Sequence, residues 1–351
     1  MIICLKSIKI GRTSLGKNKP SYIIAEIGSN FDGSLEKAKK LIDLAKNSGA
    51  DCAKFQSFIT NKLLSKQGFE NTVSFQSAWK KSVWEIYREA EFPRDWHKKL
   101  ALHAKKKCID FMSTPYDFEA VDLLDSLGTP AFKIGSGDVT YLEFLKYIAK
   151  KNKPILLPTG ASTISEIKQA INTIKSTKNN NIVLMQSVTQ YPSPLEDANI
   201  RAMVTMGKKF NLNFGYSDHA PGIIVPISSI SLGACVIEKH FTDNKKNIGP
   251  DHSHSLDPKE FSEMVKRIRQ VEVALGSGIK KVEKSEIQTR VIQRRSIFTI
   301  KEIPKGEKFT KDNIDCLRPC IGLPASDYVK IINKKAKNTL KPFHAIKKTD
   351  F

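Results

Sequence analysis

Short apolar runs alternate along most of this chain with stretches whose apolar residues recur every three or four positions. SYIIAEIG (21–28), CAKFQSF (52–58), IDFMSTP (109–115), AFKIGS (131–136), PILLPTG (154–160), IVLMQSV (182–188), NFGYSD (213–218) and ACVIEKHF (234–241) each read as a strand closed by a polar or glycine-containing cluster. Helical stretches separate them. Ser34 is placed to cap a helix whose apolar positions Leu35, Ala38, Leu41, Ile42 and Ala45 follow the 3.6-residue period, with Gly49 past its end. Further helices are expected from Trp96 to Lys107 and from Asp117 to Gly128. The clearest start is Asp257-Pro258-Lys259-Glu260, which sets a cap, a first-turn proline and a third-position glutamate in order. Phe261, Met264, Val265, Ile268, Val271 and Leu275 are expected on the buried face of that helix.

Eight βα units in about 255 residues predict a closed (β/α)8 barrel, assigned to residues 1–275 after a short leading strand or hairpin. A doubly wound open sheet is the alternative, but no GxGxxG follows the first strand. Residues 59–95 interrupt the rhythm with Phe69, Phe75, Trp79, Trp84, Tyr87 and Phe92 among polar neighbours. They read as a long excursion, part lid and part short helix, starting on the side where active-site loops gather. Residues 276–292 are polar and glycine-interrupted, as a linker would be. From 293 to 351 short β-like pieces with Pro and Gly at their corners predict a small second domain, near the lower size limit for independent stability.

Composition narrows the setting. No apolar run approaches the roughly 18 residues that a membrane helix needs. The amino-terminal stretch lacks the apolar core of a secretory signal. Six cysteines, at 4, 52, 108, 235, 316 and 320, show no CxxC spacing, so reduced thiols in a cytoplasmic protein are expected. The formal charge of +21 attracts anions, and from Gly276 onward 18 Lys and Arg face 8 Asp and Glu. These cations are scattered through amphipathic segments without aromatic interleaving, a C2H2 pattern or an RNP-like run. A solvated basic face that helps to gather phosphorylated substrates is therefore expected, with no nucleic-acid and no membrane partner.

Barrel chemistry belongs at the carboxyl ends of the strands. There the chain presents Glu26, Lys54, Gln56, Thr114, Lys133, Ser136, Thr159, Thr189, Ser217, His219, Glu238 and His240. Ser-Asp-His and Glu-Lys-His close two strands separated by one crossover, so His219 and His240 can share a divalent metal, with Asp218 and Glu238 beside them to orient the rings or bind substrate. A lone histidine is more often structural; the matched pair points to function. Lys54 and Lys133, with Ser136 and Ser217, offer two cations and two hydroxyls, a set suited to a phosphate and a carboxylate together.

The stretches AEIGSNFDG, KFQSF, STPYDFEAVDLL, FKIGSGD, YPSP, GYSDH, ACVIEKHF, GPDHSHSLDP and RRSI, in this order from Tyr22 onward, resemble the sialic acid synthases, and the tail resembles their antifreeze-like (SAF) domain. The resemblance implies condensation of phosphoenolpyruvate with the open-chain aldehyde of an N-acyl hexosamine, giving a nine-carbon α-keto sugar acid and phosphate. It implies that His219 and His240 hold Mn2+, or Mg2+ or Co2+ in its place, to polarise the aldehyde oxygen. Lys54, Lys133, Ser136, Ser217 and Thr114 match positions that hold phosphoenolpyruvate, and Glu26 matches the carboxylate that handles protons. Gln56, Tyr191, Glu238 and Asp251 match positions near the sugar or the metal. Arg318, in CLRPC, matches an arginine that the small domain of a partner subunit inserts into the site, which implies a domain-swapped homodimer.

The chain departs from the family pattern at Phe31, where histidine is usual, at Pro158, at Gln186-Ser187-Val188 and at Cys320. Phe31 is expected to remove a polar group from the mouth. GPDH at 249–252 resembles the N-acetylneuraminate and legionaminate synthases more than the pseudaminate branch, and the sugar stays open. A non-catalytic sugar or phosphate binder is the reading from another class. Against it, a binder needs no metal pair together with a proton-handling carboxylate.

Overall fold

The computed structural model describes residues 7–16, 19–70 and 81–351. The chain divides into two compact units, Met1–Ser277 and Gly278–Phe351. In the first, an antiparallel hairpin of β1 (Ile8–Ile10) and β2 (Thr13–Leu15) precedes eight parallel strands. These are β3 (Tyr22–Gly28), β4 (Cys52–Ser57), β5 (Asp110–Pro115), β6 (Phe132–Lys133), β7 (Ile155–Pro158), β8 (Ile182–Ser187), β9 (Asn213–Asp218) and β10 (Val236–His240). They are ordered β5-β4-β3-β10-β9-β8-β7-β6, and β5 packs beside β6 to close the (β/α)8 barrel.

Helix starts follow the expected chemistry. The Ser34, Asp117 and Asp257 side chains each accept from a first-turn backbone N–H, and Asp257 with Glu260 completes a capping box. Phe261, Met264, Val265 and Ile268 are buried as expected, whereas Leu275 is exposed because the last turn of Pro258–Leu275 runs past the barrel core. The fourth predicted strand is cut to two residues, since Ser136–Asp138 curls into a 3-10 turn. The excursion after β4 supplies helices Thr60–Leu63, Lys66–Glu70 and Val83–Glu89, while Phe75 and Trp79 lie outside the described residues.

The period-two alternation of each strand sorts its side chains into two layers. On β3, Ile23, Ala25 and Ile27 face the helices, while Tyr22 and Ile24 join Ile8, Ile10, Leu15, Met112, Leu156, Val183 and Met185 in an inner cluster. The hairpin thus plugs the amino-terminal end of the barrel. Along the inner column the residues turn polar toward the other end: Ile24 is followed by Glu26, Cys52 by Lys54, Met112 by Thr114, Ala131 by Lys133 and Val236 by Glu238. Water is excluded from one end, and charge is gathered at the other.

In the second unit, β11 (Ser296–Thr299) pairs antiparallel with β12 (Ile314–Leu317) over a core of Ile297, Ile303, Phe309, Ile314, Leu323, Ile331, Leu340 and Ile346. The stretch read as a linker carries a 3-10 turn at Lys284–Glu286 and most of the helix Ile287–Gln293. The five described cysteines are free. No helix among the described residues is long and apolar enough to cross a membrane.

Candidate active site

Glu26, Lys54, Glu238 and Lys133 form an alternating run of charge across the barrel mouth. Lys54 Nζ lies 2.7 Å from Glu26 Oε2 and 3.6 Å from Glu238 Oε1, and Lys133 Nζ lies 3.1 Å from that same oxygen. Gln56 donates to Glu26 Oε1 (2.6 Å), Lys54 to Thr114 Oγ1 (3.0 Å) and Ser217 to Glu238 Oε1 (3.1 Å). All four charged groups are buried. Burial pushes the Glu26 carboxyl up to about 7; the neighbouring Lys54 cation offsets this only in part, and the Glu238 charge adds to it. At Glu238 the same burial is outweighed by Lys133 and Lys54, which hold it below the usual carboxylate range. Two glutamates on adjacent inner columns are thereby set to opposite protonation tendencies. Burial also pulls Lys133 down against the opposing attraction of Glu238.

Beside this run stand three imidazoles and a phenol. The rings of His219 and His240 are 5.5 Å apart between centres, those of His240 and His254 4.8 Å. Tyr191 lies 4.1 Å from His219, 5.9 Å from His240 and 5.5 Å from His254. Val188 O sits 2.6 Å from His219 Nδ1; a carbonyl can only accept, so Nδ1 carries the proton and Nε2 keeps its lone pair. Burial holds His219 at about 3 and His240 well below its ordinary value, so both rings are neutral and able to bind a cation. His240 Nδ1 and His254 Nε2 are buried without a hydrogen-bond partner. Unsatisfied buried nitrogens next to a carboxylate fit a divalent ion. Among the described residues, His240, Asp251 and His254 offer donor atoms that all lie within 4.8 Å of one another, and His219 stands outside that tightest group.

The loop after β10 carries two of these groups, and buried polar anchors fix it. His252 bridges Thr242 Oγ1 (2.6 Å) and Asp32 Oδ1 (2.9 Å), and Asn30 donates to Phe241 O and Ser255 Oγ. Ser29 donates through its backbone N–H and its hydroxyl to Asp251 Oδ2 (3.1 and 2.9 Å). That carboxylate occupies the space a Cβ at Gly28 would need, and Gly28 has a φ of +55°. A cavity of about 170 Å³ opens above, lined by Gln56, His240 and Asp251 on one side and by Phe58, Ile86, Tyr87, Tyr116 and Tyr191 on the other. Ile86 and Tyr87 belong to Val83–Glu89, so the aromatic excursion forms part of the wall.

The barrel thus brings together Glu26, Lys54, Gln56, Thr114, Lys133, Ser217 and Glu238, and beside them Tyr191, His219, His240 and Asp251. Ser136 faces Gly160: a Cβ added at Gly160 would lie 2.9 Å from Ser136 Oγ and 2.2 Å from Thr189 Oγ1, so two hydroxyls flank one glycine there. Thr159 is buried and donates to Met185 O and Gln186 Oε1. Arg318 belongs to the second unit, exposed just past β12.

Two expectations are corrected. Asp218 orients no imidazole: it points outward from the barrel, pairing with Lys239 Nζ at 2.6 Å and accepting from Ala220 N–H. Phe31 removes nothing from the mouth, because its ring is buried among Phe55, Phe92 and Trp96. Sequence reasoning missed His254 and Ser29, which the loop after β10 and the turn after β3 bring to the site. His254 stood within the quoted GPDHSHSLDP, and a second histidine two residues after the first was the available signal.

A closed parallel barrel with a buried charge run and clustered imidazoles at its carboxyl-terminal mouth is an enzyme of the (β/α)8 class. A family model described as the NeuB family matches residues 41–280, and one described as the SAF domain matches residues 294–351. The chain belongs to the NeuB family. N,N'-diacetyllegionaminic acid synthase of Campylobacter jejuni is 43% identical over 92% of this chain and 98% of its own, and the synthase of that name from Legionella pneumophila is 37% identical over 93% of each. The human N-acetylneuraminate-9-phosphate synthase is 34% identical over 93% of this chain and 91% of its own. Among solved structures, the N-acetylneuraminic acid synthetase of Leptospira borgpetersenii superposes with a TM-score of 0.72 at 31% identity, covering 81% of this chain and 95% of that one. The sequence resemblance and the family assignment agree.

Proposed function

We propose that this protein condenses phosphoenolpyruvate with an N-acyl hexosamine to form a nine-carbon α-keto sugar acid. Carbon three of phosphoenolpyruvate bonds to the aldehyde carbon, water adds at carbon two, and the bond from carbon two to the phosphate oxygen breaks. The observation that carries this reading is the buried run Glu26, Lys54, Glu238 and Lys133 beside neutral imidazoles. Lys54 and Lys133, with Thr114, Ser136 and Ser217, bind the phosphate and carboxylate of phosphoenolpyruvate. Glu26, poised near neutrality, exchanges a proton as the new bond forms. Gln56 holds Glu26 in place and Glu238 balances the two lysines. Tyr191 and Asp251 position the sugar next to the imidazoles. A divalent ion held by His219 and His240, of the Mn2+ type, would supply a Lewis acid for the aldehyde oxygen.

The acceptor we favour is a diacetamido 6-deoxy hexose. Phe58, Ile86, Tyr87 and Tyr116 give the cavity an apolar wall that suits a methyl group and a second acetamido group. The Campylobacter and Legionella relatives, named as N,N'-diacetyllegionaminic acid synthases, support the same choice over N-acetylmannosamine. The enzyme works in the cytoplasm as a homodimer, Arg318 of one subunit reaching the N-acyl end of the sugar held by the other.

Phosphate release from phosphoenolpyruvate, measured with Mn2+ and a panel of N-acetylmannosamine, 6-deoxy and diacetamido hexosamines, tests the reading. Release with a diacetamido sugar, stopped by EDTA, is expected. Release with N-acetylmannosamine alone would overturn the acceptor choice, and no release with any sugar would favour the non-catalytic binder.

A further inference from the structure

We propose that His254 binds the divalent ion directly, so that this chain grips its metal from the loop after β10 as well as from the strand ends. The inference rests on the metal-dependent reading of the site and adds a ligand to it. Asp251 Oδ2 is held by Ser29, and Asp251 Oδ1 stands 3.9 Å from His254 Nε2. That separation is too long for a hydrogen bond. It suits two donors on one ion, since ligands about 2.1 Å from a metal lie roughly 3 to 4 Å from each other. The His254 side chain is 3% exposed and its Nε2 has no hydrogen-bond partner, as is true of Nδ1 on the neighbouring His240. Two buried nitrogens desolvated without compensation are expected to share something, and a cation satisfies both at once.

The backbone on either side of His254 is fixed. His252 is clamped between Thr242 and Asp32, and Ser255 donates to Asp251 O while accepting from Asn30. The imidazole is therefore delivered by a tethered loop, and little reorganisation is needed to close a donor set that already lies within 4.8 Å. A third nitrogen has a chemical consequence. Imidazole suits later first-row ions more than oxygen donors do, so the site gains more for Co2+ than for Mn2+, and least for Mg2+.

Full-length protein stripped of metal with a chelator is titrated with Mn2+, free ion being read from its electron paramagnetic resonance signal. Nitrogen couplings of the bound ion are counted by spin-echo modulation. Wild type is expected to show three imidazole nitrogens. His254→Phe, which keeps a planar ring and removes both nitrogens, is expected to show two, with affinity weakened about tenfold or more for Mn2+ and further for Co2+. His254→Gln gives a second polar variant of similar reach, and circular dichroism verifies that both fold. An unchanged nitrogen count and affinity in both His254 variants, while His219→Ala and His240→Ala each lose a nitrogen, would overturn the proposal and leave the metal-dependent reading intact. No nitrogen coupling in wild type would overturn both.

Discussion

At Glu26 burial and charge pull in opposite directions, and their balance decides what the carboxyl can do. With its affinity for a proton raised to about 7, it can both hold and give up a proton under ordinary conditions. Glu26→Gln keeps the size and the capacity to contact Lys54 and Gln56 but removes the titration. Turnover is expected to fall by about 10²- to 10⁴-fold, while phosphoenolpyruvate binding, measured by calorimetry, stays within a few-fold. Loss of binding in step with turnover would make Glu26 a structural counter-ion to Lys54. Glu26 was legible in the sequence because a carboxylate closing an apolar run has no comfortable place inside a barrel. Phe31 lies in the turn after β3, where its place among the aromatic rings depends on contacts distant in the chain. Asp218 was not read correctly although strand alternation governs it: a residue beside an inward one faces out, and Asp218 follows Ser217. The misreading came from giving proximity in the chain more weight than strand parity. Lys239, the partner of Asp218, obeys the same parity between Glu238 and His240.

The helix Trp96–Lys106 shows how an element can carry a pH dependence far from the chemistry. His97 is buried against Phe92, with Nδ1 on the Pro93 and Arg94 carbonyls and Nε2 on the Ser57 hydroxyl, which in turn meets Ser113. Burial, with a contribution from the Arg94 cation, lowers it from 6.5 to about 4. The fold therefore favours the neutral ring. Its stability contribution is complete above pH 6.5 and is lost as pH falls toward 4, by up to about 3 kcal/mol. Urea unfolding at pH 7 and pH 4.5 is expected to show a smaller acid loss in His97→Gln than in wild type; equal losses would remove His97 from the account. Of the elements themselves, caps and periodicity revealed nearly all. What stayed hidden was the curl at Ser136–Asp138, which shortens β6, and the exposure of Leu275, since a helical period cannot tell where the core beneath it ends. The loop after β10 was also opaque, because its order comes from Asn30, Asp32 and Ser29, more than 200 residues earlier.

At the scale of the whole molecule, the role proposed for Arg318 predicts complementation between subunits. Arg318→Ala is expected to raise the KM for the sugar and depress turnover, and His240→Ala to abolish turnover. If the arginine works on a neighbouring subunit, mixing the two variants through a dissociation and reassociation step should restore about a quarter of wild-type activity, since half the dimers are mixed and each has one intact site. No recovery on mixing would place the arginine with its own barrel. The charge of +21, concentrated in part beyond Gly276, suits a protein that collects anionic substrates. The aromatic excursion has a consequence for how such an enzyme diversifies. The groups assigned to phosphoenolpyruvate and to proton movement sit on the strands and their ends, whereas Ile86 and Tyr87 come from one inserted segment that joins β4 to its helix. Selection can rewrite that segment without disturbing the bond-forming machinery, so new acceptors can evolve, or be engineered, by exchanging one stretch of chain between relatives.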